Sequence, residues 1–367
     1  MSRTHLMRGW AAAALAVAVS VAAPACGDDG SEGADAGITV VDARGRTVSL
    51  SGVPDRITVA GRAAFMIVDA VYLFEGAGDR LAAFELGRDS QIDFVGIVDP
   101  HLDDKQILPK SVGAEQVAAT DPDLVLMKSY MAGELGEPLE RLGIPVLYLD
   151  LETPAQYERD LETLGVVLGE PEQADEIIRF YRERVDRIAS VTGAISDDER
   201  PDVLVLRYDP AEGTAAFDVP PASWLQTEMV EIAGGSPVWT GDAGGSGWTR
   251  VGFEQIAAWD PDQIFLISYS GDPAALAEDL TADGAWREVR AVSDGSVLGW
   301  PGDLSSWDQP DTRWVLGLTW LFTKIQPGPA AGIDIMAETS DLFTGLYRLT
   351  PEAVRLEVLP LLVGSLP

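Results

Sequence analysis

The most regular pattern of apolar positions lies in the middle of the chain. Between Pro171 and Thr192 apolar side chains recur with the 3.6-residue period of a helix, and Arg and Glu occupy the other face. Proline in the first turn and Gly193 at the exit are typical helix boundaries. The pattern predicts a helix of about 22 residues, which is roughly 33 Å long at 1.5 Å per residue.

An internal repeat predicts the architecture on either side of this helix. Residues 112–130 and 251–269 align without gaps and are identical at 11 of 19 positions. Each copy has the pattern of a short helix, an Asp-Pro-Asp turn and an apolar run that suits a strand. Further apolar runs lie at 56–60, 145–149, 202–206 and 295–299.

Short apolar strands that alternate with helical segments are typical of parallel sheets covered on both faces. We therefore predict an α/β protein of two pseudo-repeated lobes with parallel sheets. The predicted lobes are residues 40–153 and 196–330, joined by a helical segment at 154–195. A helical tail is predicted at 331–367.

The start of the chain has the pattern of an export signal. Arg3 and Arg8 precede an apolar stretch from Trp10 to Ala25, which is shorter than the roughly 20 residues of a membrane-spanning helix. We predict that residues 1–25 are removed and that residues 26–39, rich in Gly and acids, form a flexible tether. Ala-Pro-Ala before Cys26 resembles a bacterial lipoprotein cleavage site, which implies lipidation of Cys26. Ordinary signal cleavage beside an incidental cysteine is the alternative.

Composition excludes several functions. The chain has 59 Asp and Glu against 26 Lys and Arg, so its net charge of −33 repels polyanions and argues against nucleic-acid binding. A single cysteine rules out a disulfide framework. Of two histidines, His5 belongs to the predicted signal, and His101 has no GxSxG motif in the sequence to accompany it. We expect no enzymatic activity, no cofactor and no metal site, although a secreted hydrolase that uses His101 stays open.

Ordered segments of the chain resemble the substrate-binding proteins of ABC importers, in the class that serves ferric siderophores and cobalamin. They include RITVAG, GAEQVAATDPDLVLM, VEIAGGSPVW and WREVRAVSDGSVLGWPGD, and the resemblance covers most of residues 40–325. It implies the class III fold, with two lobes on one long rigid helix and a small-molecule ligand between them. It also implies delivery to a permease dimer with its ATPase, and an extracytoplasmic chain held at the membrane by lipidated Cys26.

The segment from Ser305 to Pro327 resembles a subgroup that binds iron compounds, so a ferric siderophore-like chelate is the expected ligand. Carriers of cobalamin, of a molybdate-like oxyanion or of a free metal ion are the alternatives. The resemblance further implies that Glu115 and Glu254, which occupy equivalent places in the two copies, contact the permease. An interaction of each acid with the positive end of its own helix is the alternative.

Ligands of open α/β sheets bind beyond the carboxyl ends of the strands, so the residues that follow strands are the candidates. Three of these are cations, which favours an anionic ligand, although each can instead be a solvated charge or form a salt bridge with a nearby Asp. Aromatic candidates can stack on a chelate or donate hydrogen bonds to it, and tyrosine can bind Fe(III), although each can instead fill the core. The expected ligand-binding residues are Arg62, Phe65, Lys128, Tyr130, Arg207, Tyr208, Trp248, Tyr269, Trp300 and Trp307.

Overall fold

The computed structural model describes residues 37–208 and 217–367. The predicted signal, Cys26 and most of the predicted tether lie outside these residues. The first strand begins at Ile38, within the range predicted as tether. Among the described residues, no helix combines the length and the apolar character that a membrane crossing requires.

The first lobe contains a five-stranded parallel sheet. An antiparallel hairpin of β1 (Ile38–Val41) and β2 (Thr47–Leu50) precedes it. The strands are β3 (Ile57–Val59), β4 (Leu81–Glu85), β5 (Gln106–Leu108), β6 (Leu124–Lys128) and β7 (Val146–Leu149). Their order in the sheet is β5-β4-β3-β6-β7. The helices are α1 (Ala64–Val71), α2 (Ala77–Arg80), α3 (Asp89–Val98), α4 (Ala114–Ala118) and α5 (Glu137–Arg141).

Two helices connect the lobes in sequence. The first, α6 (Pro154–Leu168), begins at Thr153, whose hydroxyl accepts a hydrogen bond from the amide of Gln156. The second, α7, spans Pro171–Thr192 and confirms the predicted helix. Its buried positions follow the apolar stripe that the sequence shows, because that face packs against α6 and the second lobe.

The second lobe contains a larger sheet. Its strands are β8 (Asp202–Tyr208), β9 (Phe217–Val219), β10 (Ser236–Pro237), β11 (Thr249–Val251), β12 (Gln263–Ile267) and β13 (Val297–Gly299). The order is β11-β9-β8-β12-β13, and β10 also pairs with β8. Strands β8, β10, β12 and β13 pair in parallel, as predicted, and β9 and β11 add an antiparallel edge that the sequence pattern did not indicate.

The helices of this lobe and the predicted tail follow the same alternation. They are α8 (Leu225–Ile232), α9 (Phe253–Trp259), α10 (Pro273–Ala282), α11 (Arg290–Ser293), α12 (Trp314–Ile325), α13 (Ile335–Gly345) and α14 (Pro351–Ala353). The repeat is visible in the structure, because α4 precedes β6 in the first lobe as α9 precedes β12 in the second.

Aromatic side chains make one continuous core across the lobes. Tyr157 of α6 and Tyr181 of α7 both pack on Trp314 of α12, with ring centroids 5.7 and 5.6 Å from the indole. Phe94 of α3 lies 5.3 Å from Tyr347, just after α13. The connecting helices and the tail therefore join the two lobes through packed rings as well as through the backbone.

The tail also forms hydrogen bonds with the first lobe. Arg348 donates to the carbonyl oxygens of Tyr72 and Leu73, which directly follow α1, at 2.8 Å each. The hydroxyl of Tyr347 donates to the carbonyl oxygen of Asp69 at 3.2 Å. The chain thus passes from the second lobe back to the first after it has completed both sheets.

A buried charge cluster lies at the same junction. Arg313, at the start of α12, is fully buried, and its Nη2 lies 2.7 Å from Asp69 of the first lobe and 2.9 Å from Asp311. Asp303 is 3.5 Å from its Nε, and the guanidinium lies 4.1 Å from the ring centre of Phe94. Burial raises the pKa of Asp69 to about 8 despite the attraction of Arg313.

Candidate ligand-binding cleft

Two adjoining cavities lie between the lobes, beyond the carboxyl ends of the strands. The first, of about 160 Å³, is formed by residues that follow β3, β4 and β5, and we call it the first-lobe compartment. The second, of about 220 Å³, is formed mainly by residues that follow β12 and β13, and we call it the second-lobe compartment. Arg88 and Gln91, at the start of α3, line both. The cleft lies where the sheet topology predicts a ligand.

The first-lobe compartment is positively charged. Arg62, Arg88 and Lys110 line it, and Glu85 is the one acid among its described lining residues. The carboxylate of Glu85 is buried and accepts hydrogen bonds from the amides of Gly61 at 2.9 Å and Ser111 at 2.7 Å. Glu85 therefore ties together the two loops that carry Arg62 and Lys110.

The backbone of these loops is strained. Ala63 and Ser111 have φ of 59° and 64°, and both line the first-lobe compartment. For residues other than glycine, this left-handed conformation is less stable by roughly 1 to 2 kcal/mol. Such strain persists where the surrounding structure enforces it, and it is concentrated at binding sites.

The second-lobe compartment has a mixed lining, in which hydroxyl and amide groups lie beside the apolar residues Pro273, Trp300, Leu304 and Val363. Ser268, Ser305, Ser306 and Gln309 line it together with Tyr269. Asp303 also lines it, but its carboxylate accepts hydrogen bonds from the amide of Ser305 and the indole of Trp307. In contrast to the first-lobe compartment, its described lining contains one cation, Arg88.

Of the predicted cations, the structure places only Arg62 at a cavity. Its side chain is 71% exposed, and its nearest carboxylate is that of Glu134 at 3.8 Å. Lys128 is fully buried, because its ammonium donates to Glu152 and to the carbonyl oxygen of Asp150. Arg207 is paired with Asp218 at 2.6 Å and lines neither compartment. The prediction that Lys128 and Arg207 face the cleft as free cations is therefore corrected.

The predicted tyrosines act as hydrogen-bond donors within the protein. Tyr269 lines the second-lobe compartment and donates to Asp308 at 2.8 Å. Tyr130 is half exposed and donates to the carbonyl oxygen of Arg62 at 3.1 Å. Tyr208 stacks on Phe217 instead of lining a cavity.

The phenol pKa is raised at both tyrosines that lie near the cleft. Burial and the repulsion of Glu152 raise the pKa of Tyr130 to about 12. Burial and Asp308 raise the pKa of Tyr269 well above its ordinary value. Burial also raises the pKa of Asp308 to about 6, although three side chains donate to its carboxylate. Both phenols therefore stay protonated at neutral pH.

The predicted apolar and aromatic side chains have mixed positions. Phe65 of α1 lines the first-lobe compartment. Trp248 is partly buried between Arg207 and Tyr269 and lines neither cavity. Trp300 and Trp307 are fully buried in the core behind the cleft, and of the two only Trp300 also lines the second-lobe compartment, so neither indole presents an open face for stacking. The large apolar area of an indole explains this burial.

The two acids predicted to contact a permease are exposed on opposite lobes. Glu115 lies in the first turn of α4, and Glu254 lies in the first turn of α9. Both positions also allow the favourable interaction with the helix N-terminus. The structure thus leaves both interpretations of the pair open.

His101 lies at the other edge of the first sheet. Its side chain is 65% exposed, and it lines a hollow formed by residues that precede β3, β4 and β5. The described residues of this hollow include no Ser, Thr or Cys, so no hydroxyl or thiol nucleophile accompanies the imidazole there. The hydrolase alternative finds no support in this geometry.

Sequence reasoning missed Arg88, Lys110 and Glu85, because it did not identify β4 and β5 as strands. The apolar run LAAFE and the shorter run QIL were the available signals. Had the rule for strand ends been applied to them, Arg88 and Lys110 would have been candidates alongside Arg62.

Comparisons with known proteins agree with the fold. Residues 72–304 match the family model described as periplasmic binding protein. The chain is 23% identical over 259 residues to the molybdate-binding protein MolA of Haemophilus influenzae, a match that covers 65% of this chain and 70% of MolA. It is 26% identical to a vitamin B12-binding protein of Pectobacterium carotovorum, over 50% of this chain and 62% of that protein.

Among solved structures, the TroA-like periplasmic binding protein FepB of Veillonella parvula superimposes with a TM-score of 0.70 at 18% identity. The alignment covers 84% of this chain and 96% of FepB. This likeness confirms the predicted class III fold, and the family match extends over more than half of the chain. The chain belongs to the periplasmic binding protein family, the substrate-binding proteins of ABC transporters.

Proposed function

We propose that the chain is the extracytoplasmic receptor of an ABC importer and that it carries a compact, anionic iron chelate between its lobes. The observation that supports this most directly is the charge of the first-lobe compartment. Arg62, Arg88 and Lys110 surround it, while the carboxylate of Glu85 is already engaged by two backbone amides. In a chain with a net charge of −33, such a concentration of cations favours an anionic ligand.

The size of the cleft supports a compact ligand. The compartments measure about 160 and 220 Å³, so together they lie near the lower end of the range of about 300 to 1,000 Å³ for sites of drug-sized ligands. A corrinoid is larger still, which makes cobalamin the less favoured ligand. A tetrahedral oxyanion is the second candidate, because it suits the first-lobe compartment alone and because MolA is named for molybdate binding.

A thermal-shift panel tests the choice of ligand. Ferric citrate, a ferric hydroxamate, cobalamin and molybdate are compared, since a ligand at 1,000 times its Kd adds about 4 kcal/mol of stability. We expect ferric citrate to stabilise the protein and iron-free citrate to do so much less. Stabilisation by molybdate alone would favour the oxyanion candidate. Stabilisation by cobalamin alone would refute an anionic cargo.

Substitution of the cations tests the role of charge. Arg62→Met and Lys110→Met should each weaken binding of the stabilising anion by roughly 10-fold or more, the loss expected for a charge-assisted hydrogen bond. Arg179→Met, an exposed cation on α7, is the matched control and should bind normally. Normal affinity in both cleft variants would show that these are surface charges.

Glu115 and Glu254 are proposed to dock the loaded receptor on the permease. Exposed single charges contribute little affinity, but a pair on two lobes can set the orientation and rate of association. The double variant Glu115→Ala with Glu254→Ala should keep ligand affinity and lose uptake. The control, Glu172→Ala with Glu183→Ala on α7, removes the same charge from another exposed surface and should transport normally.

Cys26 is proposed to carry the lipid that holds the receptor at the membrane. Fractionation of cells that express Cys26→Ser tests this, because a variant without an acceptor thiol should leave the membrane fraction. Continued membrane association of that variant would support ordinary cleavage and another mode of retention.

A further inference from the structure

We propose that the cleft recognises an asymmetric ligand, with its anionic part in the first-lobe compartment and an uncharged, polar part in the second-lobe compartment. The inference rests on the proposed function, since it assumes that these cavities hold the cargo. The observation behind it is that two adjoining cavities share Arg88 and Gln91 but differ in the chemistry of their linings.

The positively charged side chains of the first-lobe compartment suit an anionic group of a ligand. Lys110 makes no hydrogen bond or ion pair with the described residues, whereas the Arg62 guanidinium lies 3.8 Å from the exposed carboxylate of Glu134 and 5.5 Å from the ring centre of Tyr130. Glu85 does not neutralise them by contact, because both of its oxygens accept backbone amides. The two loops that Glu85 joins thus present the Lys110 ammonium and the exposed Arg62 guanidinium to the cavity.

The polar side chains of the second-lobe compartment suit neutral polar groups of a ligand. The side chains of Ser90, Ser305 and Gln309 line it and make no hydrogen bond with the described part of the protein. A hydroxyl and a carboxamide can each donate and accept, so they match the hydroxyl or amide groups of a ligand. The carboxylate of Asp303 is engaged by two donors and lies near Arg313, which makes it a poor site for a cation.

Arg88 lies at the junction of the two parts. One of its terminal nitrogens donates to the carbonyl oxygen of Tyr269 across the cleft at 3.3 Å, and the guanidinium lies 5.8 Å from the Tyr269 ring centre. A guanidinium has five donors, so several remain for a ligand. Arg88 can therefore bind the anionic part of the ligand at the point where its neutral part begins.

Two anionic probes distinguish binding in the first-lobe compartment alone from binding in both compartments. Ferric citrate carries free carboxylates together with iron-bound oxygens whose charge Fe(III) offsets, whereas molybdate is a compact anion that we expect to occupy the first-lobe compartment alone. Binding is measured by calorimetry for the wild type, for Lys110→Met and for the double variant Ser305→Ala with Gln309→Leu. Melting curves confirm that each variant is folded.

We expect Lys110→Met to weaken the binding of both anions by roughly 10-fold or more. The Ser305 and Gln309 double variant should weaken ferric citrate by about 10-fold and change molybdate by less than about twofold. If the double variant binds ferric citrate like the wild type while Lys110→Met is impaired, the asymmetry is wrong and the anionic cargo stands. If Lys110→Met binds both anions normally, or if neither anion binds the wild type, both proposals fail.

Discussion

Replacing Arg313 with methionine tests the buried charge cluster that joins the lobes. Methionine fills most of the space but leaves the carboxyl groups of Asp69, Asp303 and Asp311 without their cation, and all three side chains are at most 4% exposed. Breaking a buried ion pair by removal of one partner costs about 3 to 5 kcal/mol.

A second route gives a similar magnitude. In Arg313→Met, the cluster has one uncompensated negative charge, which is removed if one further carboxyl group is protonated in the folded state. For a carboxyl with an ordinary pKa of 3.8, this costs about 4 kcal/mol at pH 7, at about 1.36 kcal/mol per pH unit. The same reasoning predicts that the loss of stability is smaller by roughly 2 to 3 kcal/mol at pH 5.

Urea unfolding at pH 5 and pH 7, followed by tryptophan fluorescence, measures both quantities. The matched control is Arg182→Met, which removes an exposed pair with Glu158 and should cost less than about 1 kcal/mol. A loss below about 1 kcal/mol for Arg313→Met at pH 7, or a loss that does not change with pH, would refute the account of this cluster.

Three further predictions follow from described contacts. The raised pKa of Asp69 stabilises the folded state below about pH 4, and this contribution is lost as the pH rises to about 8. The unfolding free energy of Asp69→Asn should therefore increase relative to that of the wild type between pH 5 and pH 8. No such increase would contradict the raised pKa of Asp69. In thermal melts, Tyr157→Phe should leave stability unchanged or raise it, because the buried hydroxyl of Tyr157 has no hydrogen-bond partner among the described residues. Tyr181→Phe loses the hydrogen bond to the Thr312 carbonyl and should cost about 1 kcal/mol of stability. The reverse ranking of the two variants would be inconsistent with these contacts. Since α7 and the tail join the lobes, ligand should change the radius of gyration in X-ray scattering only slightly, and a contraction of several ångströms would refute a rigid connection.

The sequence predicted those parts of the fold whose signals are local. The helix Pro171–Thr192 has a proline, a glycine and an apolar stripe that all agree, and the structure matches it to the residue. The repeated strands β6 and β12 carry continuous apolar runs beside an Asp-Pro-Asp turn. Strand β5 has only three residues and an exposed beginning, so its pattern did not stand out from a loop.

The site was predicted less well, because its membership depends on contacts between distant residues. Lys128 follows a strand as Arg62 does, and only the positions of Asp150 and Glu152 bury it. Trp300 and Trp307 flank a turn, and the sequence does not reveal that the tail covers them. The rule for strand ends selected the edge of the sheets at which the two cavities lie, while the individual side chains required the tertiary structure.

The return of the tail to the first lobe sets the order in which the protein can be completed. The carbonyl groups of Tyr72 and Leu73 receive their donors from Arg348, which lies 275 residues after Leu73. The ribosome makes the whole first lobe long before it makes Arg348, and contacts over such sequence distances form slowly. Late closure therefore leaves the growing polypeptide without these contacts until the tail is made, which would suit the predicted export signal, because the tail could then pack on the first lobe after transfer across the membrane.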